Sequence, residues 1–396
     1  MPSFIFLYAL MAACSTTTPS QEDVDFYAGR CPGLTAAQIA DGWLSLFDGS
    51  TLYGWRKEGV AGWQVVDGAI HVDSGKIELL RTAVQFDDFE LKLEFKAPPE
   101  TNSGIFIRTK PRPTTATDGC IEINIAPEAT HPFPTGSIAG RQKASGVELR
   151  AGFNSMTIRA VGDTIHVDVN SKRVTEFTSS SLLRRGYIGL QHNSGKVQFR
   201  NIAIRPLGLN SMFNGRDLKG WNTEQKLASE FLVEHGTLNM KNGRGQLESV
   251  NQFANFVFSS HVRTNAKGLN SGVFFRCIPG EMMNGYESQI QNQFSDDDRT
   301  KPKDCGSGGI FRRLPARIVN ASDNKWFAKT IVADGGTMCV WINGLLVADW
   351  TDTRKPHANP RKGRRLEKGT VILQGHDPTT DLSFKEMRIR ELKPRK

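Results

Sequence analysis

Residues 102–108 read Asn-Ser-Gly-Ile-Phe-Ile-Arg, and residues 270–276 read Asn-Ser-Gly-Val-Phe-Phe-Arg. Other segments recur in the same order around this pair. Leu-Phe-Asp-Gly-x5-Trp at 46–55 returns as Met-Phe-Asn-Gly-x5-Trp at 212–221, and Leu-Gln-His at 190–192 returns as Leu-Gln-Gly-His at 373–376. The offset stays at about 165–185 residues. That period is too long for a solenoid repeat and is typical of a whole domain copied in tandem.

The segments between these motifs alternate between apolar and polar residues. Residues 89–96, Phe-Glu-Leu-Lys-Leu-Glu-Phe-Lys, predict a strand with one face on a core and the other in water. Asn343-Gly344 predicts a tight hairpin, because both central positions of a type I′ turn need positive φ. Helical periodicity is scarce. Many short antiparallel strands therefore predict an all-β protein of two sandwiches or jelly rolls.

The length of 396 residues leaves room for two domains that each bury a core. We expect a signal or lipoprotein-like segment at 1–20, a linker at 21–40, a first sandwich at 41–208 and a second at 209–396. The formal net charge is +9, but no element interleaves basic and aromatic residues as a nucleic-acid site would. The charge indicates a solvated surface or attraction to acidic polymers.

The first residues form an apolar run at 4–13 that is too short to span a bilayer. The run ends Met-Ala-Ala-Cys, and small residues before a cysteine resemble a bacterial lipoprotein cleavage site. Cys14 would then carry a lipid anchor. No Lys or Arg precedes the run, so a frayed apolar N-terminus is the alternative. We expect export, to the periplasm or as a membrane-anchored lipoprotein.

Alternation along three strands of the second copy places polar side chains on one face, which we expect to be the concave side of the sandwich. A lone Arg–Glu pair is more often a salt bridge than a catalytic pair, and a lone His at a strand end is usually a hydrogen-bonded surface residue. Here Arg, Glu and His occur in the same order in both copies, which favours a functional site. The candidates are Asn270, Arg276, Glu287, Gln289, Gln374 and His376, with Arg312 at the rim, and the counterparts in the first copy are Arg108, Glu122 and His192.

The number of carboxylates on these strands bears on the reaction. A conventional glycosidase places two carboxyl groups across the scissile bond. Here Glu287 is followed on its face by Gln289 and Gln291, and Glu122 is followed by Asn124. One carboxylate suits a lyase, in which a single base removes a carbon-bound proton and a cation stabilises the enolate.

Taken together, these motifs resemble the 3-keto-disaccharide hydrolase domain family, over about 90% of the chain and in two copies. The resemblance implies concanavalin A-like jelly rolls and an activity on glycosides already oxidised to a ketone at sugar carbon 3. It implies cleavage by elimination across carbons 1 and 2, or hydration of the resulting glycal.

The chemistry suggests roles for the candidate residues. A ketone at carbon 3 acidifies the proton on carbon 2, and Glu287 or His376 could remove it. Arg276, with or without a divalent metal held by Glu287 and His376, would stabilise the enolate oxygen. The scattered ligand spacing does not decide whether a metal is present. A carbohydrate substrate is the expected partner, with no nucleic acid.

The two copies differ in register near their histidines. Gln374-Gly375-His376 lets Gln and His face the same way, whereas adjacent Gln191 and His192 face opposite ways unless a bulge intervenes. This favours the second copy as the catalytic domain and the first as a binding or supporting domain. The rival hypotheses are a non-catalytic, lectin-like protein with two domains and a conventional endo-glycanase.

Overall fold

The protein consists almost entirely of antiparallel strands. The computed structural model describes residues 31–127, 129, 131–223 and 227–394. These residues contain one short α-helix, α1 (Ala36–Ala40), and otherwise strands and turns. No helix among them is long and apolar enough to cross a membrane.

The first half of the chain forms two packed sheets. Its strands are β1 (Leu44–Ser45), β2 (Trp55–Lys57), β3 (Gln64–Val66), β4 (Ala69–Val72), β5 (Glu78–Thr82), β6 (Phe89–Lys96), β7 (Asn102–Thr109), β8 (Ile121–Ile125), β9 (Asn154–Val161), β10 (Thr164–Val169), β11 (Lys172–Thr178), β12 (Tyr187–Ser194) and β13 (Val197–Pro206). One sheet runs β11-β10-β9-β6-β13-β4-β3, with β1 beside β13. The other runs β2-β5-β12-β7-β8.

The second half repeats this arrangement and adds a two-stranded sheet, β22-β23. Its strands are β14 (Asn210–Ser211), β15 (Trp221–Thr223), β16 (Glu230–Glu234), β17 (Thr237–Lys241), β18 (Gly245–Phe253), β19 (Phe256–Thr264), β20 (Ser271–Cys277), β21 (Tyr286–Ile290), β22 (Phe294–Ser295), β23 (Asp298–Pro302), β24 (Phe327–Asp334), β25 (Thr337–Ile342), β26 (Leu345–Thr351), β27 (Gly369–Gly375) and β28 (Asp381–Glu391). The sheets run β16-β17-β28-β19-β24-β25-β26, with β14 beside β28, and β15-β18-β27-β20-β21. The prediction of two tandem all-β jelly-roll sandwiches is confirmed.

Local sequence explains these elements. In β6 the apolar residues are buried and the polar residues between them lie partly in water, as strict alternation requires. Burying each apolar side chain contributes about 1.5–3 kcal/mol. Asn343 and Gly344 have φ of 48° and 73° and join β25 to β26, so the hairpin prediction is also confirmed.

The two sandwiches pack against each other. Val332, Cys339 and Trp341 of the second half belong to the same buried apolar cluster as the core of the first. Trp341 Nε1 donates to the Ser45 carbonyl at 2.9 Å. The outer face of the large second sheet is therefore an interface, and each five-stranded sheet keeps its own outer face for other uses.

The segment predicted as a linker is partly packed. Residues 1–30, with Cys14 and the expected signal, lie outside the described residues. From Cys31 onward the chain packs against the rest of the protein. Thr35 and Gln38 form a capping box at the start of α1. Leu34 and Ile39 pack with Leu345 of the second half. Residues 31–40 thus pack between the two sandwiches and do not form an extended linker.

Candidate functional site

A cavity of about 610 Å³ opens on the outer face of the five-stranded sheet in the first half. Its size suits a sugar ring or a disaccharide. Its floor comes from β5, β7, β8 and β12, and its wall from the loop at 110–120. The polar residues that line it are Glu58, Glu78, Asn102, Arg112, Thr114, Thr115, Glu122, Asn124, His131, Gln191 and Asn193.

A glycine in the Asn-Ser-Gly motif makes room for the central carboxyl. Gly104 and Phe106 of β7 pair with Asn124 and Glu122 of β8. A Cβ atom on Gly104 would lie only 2.8 Å from Glu122 Oε1. In the second half, a Cβ on Gly272 would lie 2.8 Å from Glu287 Oε1. The repeated glycine therefore lets a glutamate lie flat across the neighbouring strand, a role that sequence reasoning missed.

Glu122 has the electrostatics of a general base. Glu122 is buried, with 6% of its surface exposed. Burial raises its pKa from 4.5 to about 7, and a hydrogen bond from Gln191 partly opposes the shift. A carboxyl whose pKa lies close to neutral can exchange protons efficiently at physiological pH.

Amide groups surround this carboxyl. Asn124 Nδ2 lies 3.2 Å from His131 Nδ1 and donates to the Phe133 carbonyl. Gln191 Oε1 is buried without a protein partner. Amide side chains offer both donors and acceptors, which a polyhydroxylated ring requires.

Two further carboxylates reach the cavity from other strands. Glu58, just after β2, accepts from Arg81 at 2.6 Å and from Arg112 at 3.0 Å. Glu78 Oε2 accepts from the Ala61 amide at 2.5 Å, while its Oε1 is buried without a partner. The prediction of one carboxylate holds for β8, but the cavity as a whole contains three. Sequence offered no signal for this convergence.

The structure brings together Asn270, Glu287 and Gln289 in the second half. Gln289 Nε2 donates to Asn270 Oδ1 at 2.8 Å and to Asp304 Oδ2 at 2.7 Å. Burial raises the pKa of Glu287 to about 7, the charge of Arg361 opposes the shift, and that of Asp304 adds to it. Asp304 is an addition that sequence reasoning missed.

Arg276 and Arg108 do not reach these faces, and this corrects the expectation from alternation. Each is fully buried, with φ near 50°. β20 breaks register against β27 between Phe274 and Cys277, so the side chain after the break no longer follows the alternation. Arg276 donates to the carbonyls of residues 254, 335 and 365 and to Asn255 Oδ1. These contacts indicate a bracing role.

Arg108 makes the equivalent contacts in the first half. It donates to the carbonyls of residues 87, 162 and 183, and it forms an ion pair with Asp88 at 3.0 Å. The Arg that each copy of the motif carries therefore ties together three backbone segments.

The histidines occupy different positions in the two copies. His376 is exposed beyond the end of β27, with Nδ1 2.8 Å from Asp377 Oδ2. Its counterpart by alignment is Asn193, which lines the first cavity. His192 is buried beside the Lys76 carbonyl at 3.3 Å, away from Gln191, as the register predicts.

The loop at 278–285 covers much of the second face. The Met283 amide donates to Gln246 Oε1 at 2.8 Å, and Gln374 Nε2 contacts Met283 Sδ at 3.3 Å. Arg361 donates to the Met283 carbonyl. Gln374 thus lies beneath this loop. Arg312 is exposed at the rim, and its positive charge partly opposes the rise that burial causes in the pKa of Glu287.

Metal ligands do not cluster in the part of the chain that is described. No group of three or more His, Cys, Asp or Glu side chains lies there in an arrangement that could hold a metal. Cys277 and Cys305 are free, buried thiols.

Comparison with known proteins agrees with this fold. A family model for the 3-keto-alpha-glucoside-1,2-lyase-like domain matches residues 42–205 and again residues 208–390. A 3-keto-disaccharide hydrolase of Bacteroides thetaiotaomicron is 36% identical over 91 residues, which cover 20% of this chain and 31% of that protein. The match therefore spans under a third of that relative's length.

Two solved structures of proposed glycosyl hydrolases from Parabacteroides distasonis are also similar. One aligns at 20% identity and a TM-score of 0.40, over 44% of this chain and 98% of its own. The other aligns at 28% identity and a TM-score of 0.35, over 42% and 99%. Because the family model matches both sandwiches and most of the chain, this protein belongs to the carbohydrate-active family of 3-keto-alpha-glucoside-1,2-lyase-like domains, which it carries in two tandem copies.

Proposed function

We propose that the first-half cavity binds a 3-keto glycoside and that Glu122 removes the proton on sugar carbon 2. The observation that carries this proposal is a buried carboxyl with a pKa of about 7 on the floor of a sugar-sized cavity. Neither feature alone would suffice, since buried carboxyls also occur in structural networks.

The reaction needs only groups that this cavity holds. The carbon 2 proton passes to Glu122, its bonding electrons form the enolate of the carbon 3 ketone, and collapse of the enolate breaks the carbon 1–oxygen bond. The leaving aglycone oxygen takes up the proton that Glu122 now carries, which regenerates the carboxylate. Arg112 is the arginine that lines the cavity, and its cationic head could approach the enolate oxygen.

The first copy is favoured over the second by the groups that cover each glutamate. Glu122 borders an open cavity, whereas the face beside Glu287 carries the Met283 loop and the guanidinium of Arg361. Catalysis in the second copy, which the register of Gln374 and His376 favours, remains the competing proposal. The same experiment distinguishes the two copies.

The test compares Glu122→Gln with the matched control Glu287→Gln, using 3-keto-trehalose or 3-keto-sucrose and measuring glycal and released partner. We expect Glu122→Gln to lower kcat/KM by about 100-fold or more and Glu287→Gln to change it by less than about threefold. The reverse pattern would assign catalysis to the second copy.

The pH profile provides a second check. Because Glu122 acts in its ionised form, kcat/KM should rise with pH and level off above about 7. A rate that falls as pH rises through 7 would instead indicate a protonated, acid role for Glu122.

Conventional hydrolysis is a second candidate, because Glu78 Oε1 is buried without a partner and Glu78 lines the same cavity as Glu122. A glycosidase would use one as acid and the other as base or nucleophile. Turnover of unoxidised glycosides, abolished by Glu78→Gln, would favour this candidate. Binding of the 3-keto glycoside without any turnover would favour a lectin-like role.

A further inference from the structure

The loop between β26 and β27, residues 352–368, concentrates the positive charge of the protein. It contains seven Lys or Arg residues and two Asp or Glu residues, a net +5 out of a total of +9. We call it the basic loop. The corresponding connection in the first half, residues 179–186, holds two Arg and no acidic residue. The second copy therefore carries an insertion that is mostly cationic.

The basic loop has a defined conformation. Tyr286 of β21 accepts from the Arg365 amide at 2.8 Å and donates to Asp352 Oδ2 at 2.7 Å, which anchors both ends of the loop beside Glu287. A Cβ atom at Gly363 would lie 2.4 Å from the Lys355 carbonyl. The close approach of the two loop strands thus depends on that glycine, and it presents the cations on a fixed frame.

Most of these cations lack acidic partners among the described residues. The loop's ion pairs are Arg354 with Asp352 at 2.8 Å and Arg365 with Glu367 at 3.9 Å. The turn after β23 adds two exposed arginines, Arg312 and Arg313, and Arg313 donates to the Arg361 carbonyl at 2.9 Å. We call six of the cations outside these pairs the basic surface: Arg312, Arg313, Lys355, Arg361, Lys362 and Arg364.

We propose that the basic surface binds an anionic polysaccharide, a chain with repeated carboxylate or sulfate groups, and so holds the enzyme beside polymeric carbohydrate. Several unpaired cations on one frame create a positive potential that attracts a polyanion and releases its counterions. The surface adjoins the Glu287 face, where Arg361 reaches the Met283 carbonyl. A saccharide chain can therefore contact the cations and the amides of that face together.

The aromatic residues here favour a polysaccharide over a nucleic acid. Single-stranded nucleic acids are held by bases that stack on free aromatic rings. The rings beside the basic surface are already covered: Arg361 lies over Phe274 at 5.5 Å and Arg312 over Phe311 at 5.1 Å. Charge remains available for a polyanion, but these rings are not open for stacking.

The test measures binding of the full chain to polygalacturonate, with neutral dextran and an oligo-dT of equal charge as comparison ligands. The variant is Lys355→Glu with Lys362→Glu, two exposed side chains without ion-pair partners in the described structure. The control is Lys143→Glu with Arg150→Glu, exposed residues of the first half that give the same change in net charge.

We expect the variant to weaken polygalacturonate binding by about tenfold or more and the control by less than about twofold. Equal losses in variant and control, absence of polygalacturonate binding near physiological salt, or tighter binding to oligo-dT would each overturn the proposal. Turnover of small 3-keto glycosides should be unchanged in the variant. The outcome therefore does not depend on whether the first-half cavity is catalytic.

Discussion

The two sandwiches share strand order and the glycine beside a buried glutamate, yet their outer faces differ. In the first, the loop at 110–120 stands back as a cavity wall. In the second, Met283 lies across the sheet and the basic loop stands beside it. The two sandwiches thus share both the strand order and the buried glutamate beside a glycine. They differ in the loops between strands, and these loops determine whether the glutamate faces an open cavity.

The cores differ as well, at a position that sequence alignment alone would not single out. Met156 of β9 corresponds to Lys329 of β24. The first residue of β6 pairs with Ala160 of β9, and the first residue of β19 pairs with Ala333 of β24. Met156 and Lys329 each lie four residues before that pairing residue. Lys329 is fully buried, and its Nζ donates to Ser288 Oγ at 2.7 Å and to the Gln289 carbonyl at 3.0 Å. A buried amine therefore lies beneath the strand that carries Glu287, and an apolar side chain lies beneath the strand that carries Glu122.

The largest effect should come from the arginines that the two copies share. Arg276→Ala should lower the free energy of unfolding by about 3–5 kcal/mol, because it leaves three buried carbonyls without a donor. Arg276→Lys should restore little, since an ammonium lacks the planar fork that reaches separate segments. Urea denaturation measures both, with Arg108→Ala as the counterpart. An Arg276→Ala protein that keeps its stability but loses turnover would return Arg276 to a catalytic role.

Lys329→Met should make the second core resemble the first. Burial lowers the pKa of Lys329 to about 7, and the charge of Glu287 opposes the shift. An unfolded lysine keeps its proton to about 10.5, so between pH 7 and 10.5 the unfolded state binds more protons and wild-type stability rises with pH. The variant lacks this gain.

The stability difference between Lys329→Met and wild type should therefore shift against the variant by about 4 kcal/mol from pH 6 to pH 10. Unfolding titrations at several pH values check this. Met156→Lys is the matched reverse change. It should destabilise the first sandwich near neutral pH, because Ile123 there supplies no hydroxyl where Ser288 does. A pH-independent difference for Lys329→Met would show that the buried amine does not titrate in this range.

Much of the fold could be predicted because it rests on local patterns. Alternation at 89–96 defined β6, and Asn343-Gly344 defined a hairpin. Arg276 could not be placed, because a single residue at positive φ changes the face to which a side chain points and leaves no mark in composition. Glu58 and Glu78 were missed for another reason: strands distant in sequence bring them to Glu122, and no spacing rule records that approach.

The smallest effect concerns the loop that covers the second face. Met283 is 5% exposed and packs with Phe274 and Ile372, so Met283→Ala should lower the free energy of unfolding by about 2 kcal/mol. Its neighbour Met282 is 38% exposed, and Met282→Ala should stay within about 0.5 kcal/mol of wild type. Removing the thioether also uncovers the amide of Gln374.

In a Glu122→Gln background, Met283→Ala should therefore bind a 3-keto glycoside weakly at the second face, which calorimetry or ligand-observed NMR would detect, whereas Met282→Ala should not. If turnover also returns and is lost again with Glu287→Gln, the second copy is an intact but covered catalytic site, and the loop alone separates the two sandwiches. If Met283→Ala binds no more than Met282→Ala, the difference lies deeper than the loop. The charges of Arg361, Arg312 and Lys329, which oppose the raised pKa of Glu287, would then be the next feature to remove, because only burial and the Gln191 hydrogen bond shift the pKa of Glu122.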